Sequence, residues 1–254
     1  MEAINSFSRS ILEPHKMQGF VYNQLIGTPF EGLHDKHGYK FFCFSNIFTP
    51  NSSREKREFK EEIAKGEKCN WIIASPNKDL VYLLKGKIGE KIKSSENISI
   101  GEAVFRPVLA NPLRTSLGEN AALKCATPIV IRVPQAMYAN YNIESDLPYL
   151  FWRPEMDLNA FIKQLEENLF KKYNEFHGTK IEKFPLFEAF MFKKPTTNQI
   201  VEEGRNIPVH GSIWGFQFSA LTQMQRKILE FGMDCGFGER NTLGFGFVNI
   251  MRGQ

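Results

Sequence analysis

The segment that most restricts this chain is 236–246, GFGERNTLGFG, with glycine at 236, 238, 244 and 246. Glycine enters positive φ without steric cost and lets a second backbone come close. The chain must therefore turn sharply here and pack tightly. The residues before it read as a helix over 222–235, opened by a capping box of Thr222 and Gln225 and stopped by Gly236. The residues after it, Phe245 to Met251, read as a strand. The order helix, glycines, strand excludes two phosphate motifs. A P-loop ends in Gly-Lys-Ser/Thr, and a dinucleotide fingerprint runs strand, glycines, helix. Taken alone, the segment is either a tight helix-to-strand turn or a run of backbone N–H groups able to hold phosphate oxygens.

Upstream, the elements fall into two similar series. In the first, 15–26 form a short helix with Met17, Phe20, Val21 and Leu25 near one face. Aromatic, strand-like residues follow at 39–48, and a charged stretch at 50–68 reads as an exposed insertion. Trp71–Ala74 is a strand, Asn77 caps a helix from about Lys78 to Leu84, and 98–110 are extended with a bend at Pro107. The opening strand has only residues 2–8 and alternates poorly.

In the second series, the β-branched run 127–133 is the first strand, and Asp157 caps a helix through 174. Leu158, Phe161, Ile162, Leu165, Leu169 and Tyr173 form its apolar stripe. Strands are expected at 184–193 and 209–218 before the last helix. Both series read β-α-β-β-α-β, the ferredoxin-like order. The expected fold is α+β, with two tandem ferredoxin-like domains, 1–122 and 123–254, packed side by side and a glycine-rich loop near the end.

Composition narrows the classes. Of 254 residues, 42% are hydrophobic and 24% charged, as in a globular chain with a sizeable core. No apolar run reaches the roughly 18 residues of a membrane span. The N-terminus has no cationic start followed by an apolar block, so it does not read as a secretory signal. The expected location is cytoplasmic, with no membrane partner. Cys43, Cys69, Cys125 and Cys235 lie far apart in apolar surroundings, without zinc spacing, and read as buried thiols. The net charge of +4 resides in residues 1–125, which hold 18 Lys/Arg against 14 Asp/Glu. That is compatible with a polyanionic partner but does not establish one.

The helix followed by GFGERNTLGFG and a final strand resembles the CRISPR-associated RAMP proteins. More narrowly, the chain resembles the endoribonuclease that cuts CRISPR repeat RNA. QGFVYNQLI at 18–26 is similar to the family's first helix, and CATPIVI at 125–131 to the start of its second domain. Trp71 to Ala74, then Asn77 and a helix, also fits. The resemblance spans about 15–254. It implies a catalytic Tyr on the first helix, a His shortly after it and a Lys six residues further on. Tyr22, His34 and Lys40 occupy those places. His37, three residues after His34, could substitute for it. The resemblance further implies RNA contacts at Gly236, Gly238, Arg240, Asn241, Gly244 and Gly246. The implied partners are CRISPR repeat RNA within its precursor transcript and an interference complex, with the protein a monomer or a homodimer.

The chemistry of such a set can be argued separately. RNA is cut without a metal or other cofactor when its own 2′-OH attacks the adjacent phosphate. The reaction needs a base for the 2′ proton, an acid for the leaving 5′ oxygen and a cation for the charge on phosphorus. Histidine titrates near neutrality, and lysine stays cationic. A tyrosine hydroxyl can donate a proton or position the 2′-OH. Which of Tyr22 and His34 is the base is left open. The products would carry 2′,3′-cyclic phosphate and 5′-OH ends. The alternative is a non-catalytic RAMP subunit that holds guide RNA.

Overall fold

In a computed structural model, residues 1–50, 61–202 and 204–251 are described. Residues 51–60 of the charged stretch lie outside the described residues, and the part from 61 onward corrects the reading as an exposed insertion, because Glu62–Ile63 pairs with Phe7–Ser8 and Ile63 is fully buried. The chain divides into two compact units. Unit 1 comprises Met1–Lys40 and Ser45–Arg114, and unit 2 comprises Phe41–Phe44 and Thr115–Gln254.

In unit 1, strand Glu2–Ala3 pairs antiparallel with Ala103–Arg106, which hairpins with Ile98–Ile100. On its other side Glu2 bridges Lys68, and Ala3 N–H donates to the Glu67 carbonyl at 3.0 Å. Beyond that, Phe48 bridges Asn70. The spatial order is thus fourth, first, third, second, all antiparallel, which is ferredoxin-like. Two helices complete the series, α1 (Pro14–Asn23) and α2 (Lys78–Lys93). Proline opens α1, where its missing N–H has no partner to lose. The helix buries Met17, Phe20 and Val21. Asn77 Oδ1 caps α2 by accepting from the N–H groups of Asp79 and Leu80. The short opening strand is present, and α2 runs well past the expected end near Leu84.

In unit 2, the four-stranded sheet has the order Ala189–Glu202, Arg205–Phe218, Ala121–Cys125, Val248–Ile250. Helices α3 (Leu158–His177) and α4 (Gln223–Cys235) give the second ferredoxin-like series. The Asp157 cap and the Thr222/Gln225 capping box both form. Phe161, Leu165 and Leu169 of α3 are fully buried, and Phe161 stacks on Trp214 at 4.5 Å. Leu158 is exposed in the first turn rather than on the buried stripe. All four cysteines are buried free thiols.

Two strand expectations are corrected. The strand that opens the second sheet is Ala121–Cys125, not the β-branched run after it. That run buries Ile129, Val130 and Ile131 through single bridges to Ser212 and Glu239, and its end, Arg132–Pro134, pairs with Tyr149–Phe151. The strands expected at 184–193 and 209–218 are the arms of one long hairpin, Ala189–Glu202 and Arg205–Phe218. Its polar far portion continues the ladder. Pro195 is tolerated there because the first arm is the sheet's edge.

Candidate active site

Helix α1 delivers Tyr22 at its last turn, half-buried beside the fully buried Val21. The chain then reverses. Gly27 takes φ +71°, and Thr28 Oγ1 donates to the Leu25 carbonyl at 2.6 Å. Glu31 accepts the Gly27 N–H at 3.1 Å. A single 3-10 turn, Glu31–Leu33, ends at His34.

This reversal brings the three expected side chains together. The rings of Tyr22 and His34 meet edge to face, with centroids 4.8 Å apart and planes at 85°. Lys40 Nζ donates to the His34 carbonyl oxygen and lies 5.8 Å from the centroid of the Tyr22 ring. His34 is exposed, while Tyr22 and Lys40 are half-buried. His37 is also exposed in this loop.

One neighbour was not singled out from the sequence. Asp35 Oδ1 lies 2.9 Å from His34 Nδ1. An ionised carboxylate only accepts, so Nδ1 carries the hydrogen and donates. In the neutral ring, Nε2 is then the basic nitrogen. The signal was the HD dipeptide itself, too common to stand out. The group can accept a proton at Nε2 or return one, with a lysine ammonium beside it. Among the described residues, no three His, Cys, Asp or Glu side chains gather as a metal site would.

The glycine-rich loop of unit 2 differs in kind. Gly236, Gly238, Gly244 and Gly246 all have positive φ, between +69° and +88°. A Cβ on Gly246 would overlap the Phe237 carbonyl, and one on Gly238 would lie 2.5 Å from the Val130 carbonyl. At Gly244 it would meet the Phe44 ring at 2.6 Å. Asn241 is buried, and its Nδ2 donates to the carbonyls of Phe237 at 3.1 Å and Phe245 at 3.0 Å. Phe237, Phe245 and Phe247 are buried too.

Lys172 of α3 holds this loop from within. It is 3% exposed, and its Nζ donates to Gly236 O at 2.8 Å, Gly238 O at 2.5 Å and Asn241 Oδ1 at 2.6 Å. Burial, the largest influence, lowers its pKa. The sequence carried a sign of this, because Lys172 lies three residues after Leu169 and seven after Leu165, on the apolar stripe. Of the six expected RNA contacts, Gly236, Gly238, Asn241 and Gly246 are buried, whereas Arg240 and Gly244 lie at the half-buried rim. Arg240 has left-handed backbone, with φ +56°.

The fold and the loop define an α+β protein of two ferredoxin-like series, and comparison with known proteins gives its family. Residues 111–250 match the family model described as CRISPR associated protein Cas6, C-terminal, and the chain belongs to that family. It is 28% identical over 257 residues to CRISPR-associated endoribonuclease Cas6 2 of Methanocaldococcus jannaschii, covering 97% of this chain and 95% of the relative. It is 29% identical to CRISPR-associated endoribonuclease Cas6 of Haloferax mediterranei, covering 93% and 86%. A solved structure titled CRISPR associated protein Cas6 superposes with a TM-score of 0.69 at 21% identity, over 99% of this chain and 96% of that one. At that identity the likeness speaks for the fold.

Proposed function

We propose that this chain is an endoribonuclease that cuts CRISPR repeat RNA within its precursor transcript. The RNA's own 2′-OH attacks, no metal takes part, and the ends are 2′,3′-cyclic phosphate and 5′-OH. The observation that carries this reading is the convergence of Tyr22, His34 and Lys40. The names of the relatives support the substrate class.

His34 transfers protons at Nε2, oriented by Asp35 at Nδ1. Lys40 steadies the charge that develops on the phosphorus oxygens. Tyr22 positions the 2′-OH or is the second proton-transfer group. The glycine-rich loop contributes to RNA binding through its rim, Arg240 and Gly244. Gly236, Gly238, Asn241 and Gly246 shape the backbone on which that rim sits. The protein acts in the cytoplasm as a monomer or a homodimer, with an interference complex as a further partner.

The test is incubation with repeat RNA in EDTA, followed by end-group analysis. Cleavage that persists and leaves cyclic phosphate is the expected result. Loss of cleavage on chelation, restored by a divalent ion, refutes metal independence. Binding without cleavage under any condition leaves a guide-holding subunit instead.

A further inference from the structure

In unit 2, Tyr149–Phe151 pairs antiparallel with Arg132–Pro134, with Phe151 opposite Arg132. Alternate residues of a strand share a face. The rings of Tyr149 and Phe151 accordingly meet at 5.7 Å. At one end of this pair, the Arg132 guanidinium lies over the Tyr149 ring, 4.8 Å from its centroid, and its Nε donates to Glu239. At the other end, the His210 ring stands 6.1 Å from that of Phe151. His210 also holds Arg153, whose Nη2 lies 2.8 Å from Nε2.

The hydrogens in this chain of contacts can be assigned. Arginine only donates, so His210 Nε2 accepts. Nδ1 then carries the hydrogen and donates to Thr197 Oγ1 at 3.0 Å. The imidazole is neutral, in keeping with a pKa lowered by burial first and by the Arg153 charge second. The consequence lies with Arg153. Among the described residues no carboxylate forms an ion pair with it. An arginine aimed by a carboxylate has its charge cancelled, whereas one aimed by a neutral imidazole is oriented and keeps its charge. Arg153 and Arg132 are exposed and the two rings half-buried, so the strip is open to solvent.

We propose that this strip is a contact site for single-stranded RNA, separate from the cleaving groups, with Arg153 on a backbone phosphate and the Tyr149 and Phe151 rings, flanked by Arg132, offering a face to a base. Interleaved arginine and aromatic side chains are what unpaired nucleic acid requires, because every base has a π-face and every residue a phosphate. A ligand that offered only an anion would leave the rings unused. The inference rests on the endoribonuclease reading and deepens it by assigning part of the substrate's grip.

The test measures binding of the whole chain to a fluorescein-labelled, mixed-sequence 12-nucleotide single-stranded RNA by anisotropy across a salt series. Arg153→Gln is expected to reduce the slope of log affinity against log salt by about 0.7, the value of one phosphate contact on a single strand. Tyr149→Ala should weaken binding about 5- to 100-fold at unchanged slope, and Tyr149→Phe should restore it. If Arg153→Gln and Tyr149→Ala both bind within twofold of the parent, the strip is not an RNA site, whatever the parent cuts. If the variants weaken binding but the parent never cuts, the strip stands and the endoribonuclease reading falls.

Discussion

The two regions singled out by residue type are built on opposite principles. The Tyr22–His34–Lys40 group sits at the end of a short helix and in an exposed loop, held by a ring contact, one ammonium–carbonyl bond and a carboxylate at the surface. The glycine-rich loop is held from inside by a buried lysine, a buried asparagine and four positive-φ glycines packed against backbone, the Phe44 ring and the Asn241 side chain. His34, the exposed member, is open to a substrate, whereas the Tyr22 hydroxyl oxygen is buried beneath it. A loop that meets a substrate only at its rim can be locked beneath it. Substitutions in the first region should therefore change rate and spare stability, and those in the second should do the reverse.

The sharpest way to break this contrast is Gly246→Ala. Its Cβ has no room beside the Phe237 carbonyl, and the backbone there is left-handed. A loss of more than about 3 kcal/mol in denaturant unfolding is expected. Gly178→Ala is the comparator, since Gly178 shares the positive φ but has nothing within 4 Å of a Cβ. It should lose only about 1 kcal/mol. Equal losses at the two positions would mean that the loop is not locked by packing.

Next is Lys172→Met, which keeps the stem in the core and takes the ammonium from three oxygen acceptors, of which Gly236 O keeps the Cys235 thiol as a donor. Unsatisfied buried polar groups cost about 1–3 kcal/mol each, so a loss of about 3 kcal/mol is expected by the same measurement. A stability matching the parent would remove Lys172 from the account.

Asp234 sharpens the comparison through pH. Burial, and then the Glu230 charge, raise its pKa from 3.8 to about 6. Between those values the folded chain keeps a proton that the unfolded chain has released. Stability therefore falls as pH rises through that interval, and the loss persists above it. A shift of that size corresponds to at most about 3 kcal/mol, reduced by the water that still reaches the carboxyl. Asp234→Asn should raise stability by about 1–2 kcal/mol at pH 7.5, and the gain should vanish below about pH 4. A gain unchanged across that range would contradict the assignment. The smallest effect on stability is expected in the first region, where His34→Ala should stay within about 0.5 kcal/mol of the parent.

Much of the fold was legible because several local signals agreed. In α3 and α4 the caps, the stripe and the glycine stop all point the same way. The sequence pattern of α2 stops short because Gly86 and Gly89 interrupt it, although Leu80 and Leu84 anchor it from the Asn77 cap. The opening strand of the second sheet is not legible in the sequence because Ala121–Cys125 has little β propensity. Its central position in the ladder, paired on both edges, decides instead. The long hairpin was read short because its outer portion is polar, and backbone pairing carries it past the core. The three residues of the candidate site were legible only as a spacing that resembles a family. Their proximity depends on the reversal at Gly27. The partners of His210 were not legible at all, since Arg153 and Thr197 reach it from separate segments.

The most direct test of the account is single-turnover cleavage of repeat RNA by the parent, His34→Ala and His37→Ala, with RNA affinity measured in parallel. His34→Ala should cut roughly 10²- to 10⁴-fold more slowly, the usual worth of a positioned acid or base. Its affinity and melting should remain parental, and His37→Ala should cut like the parent. A His34→Ala variant that cuts at the parental rate would contradict the account.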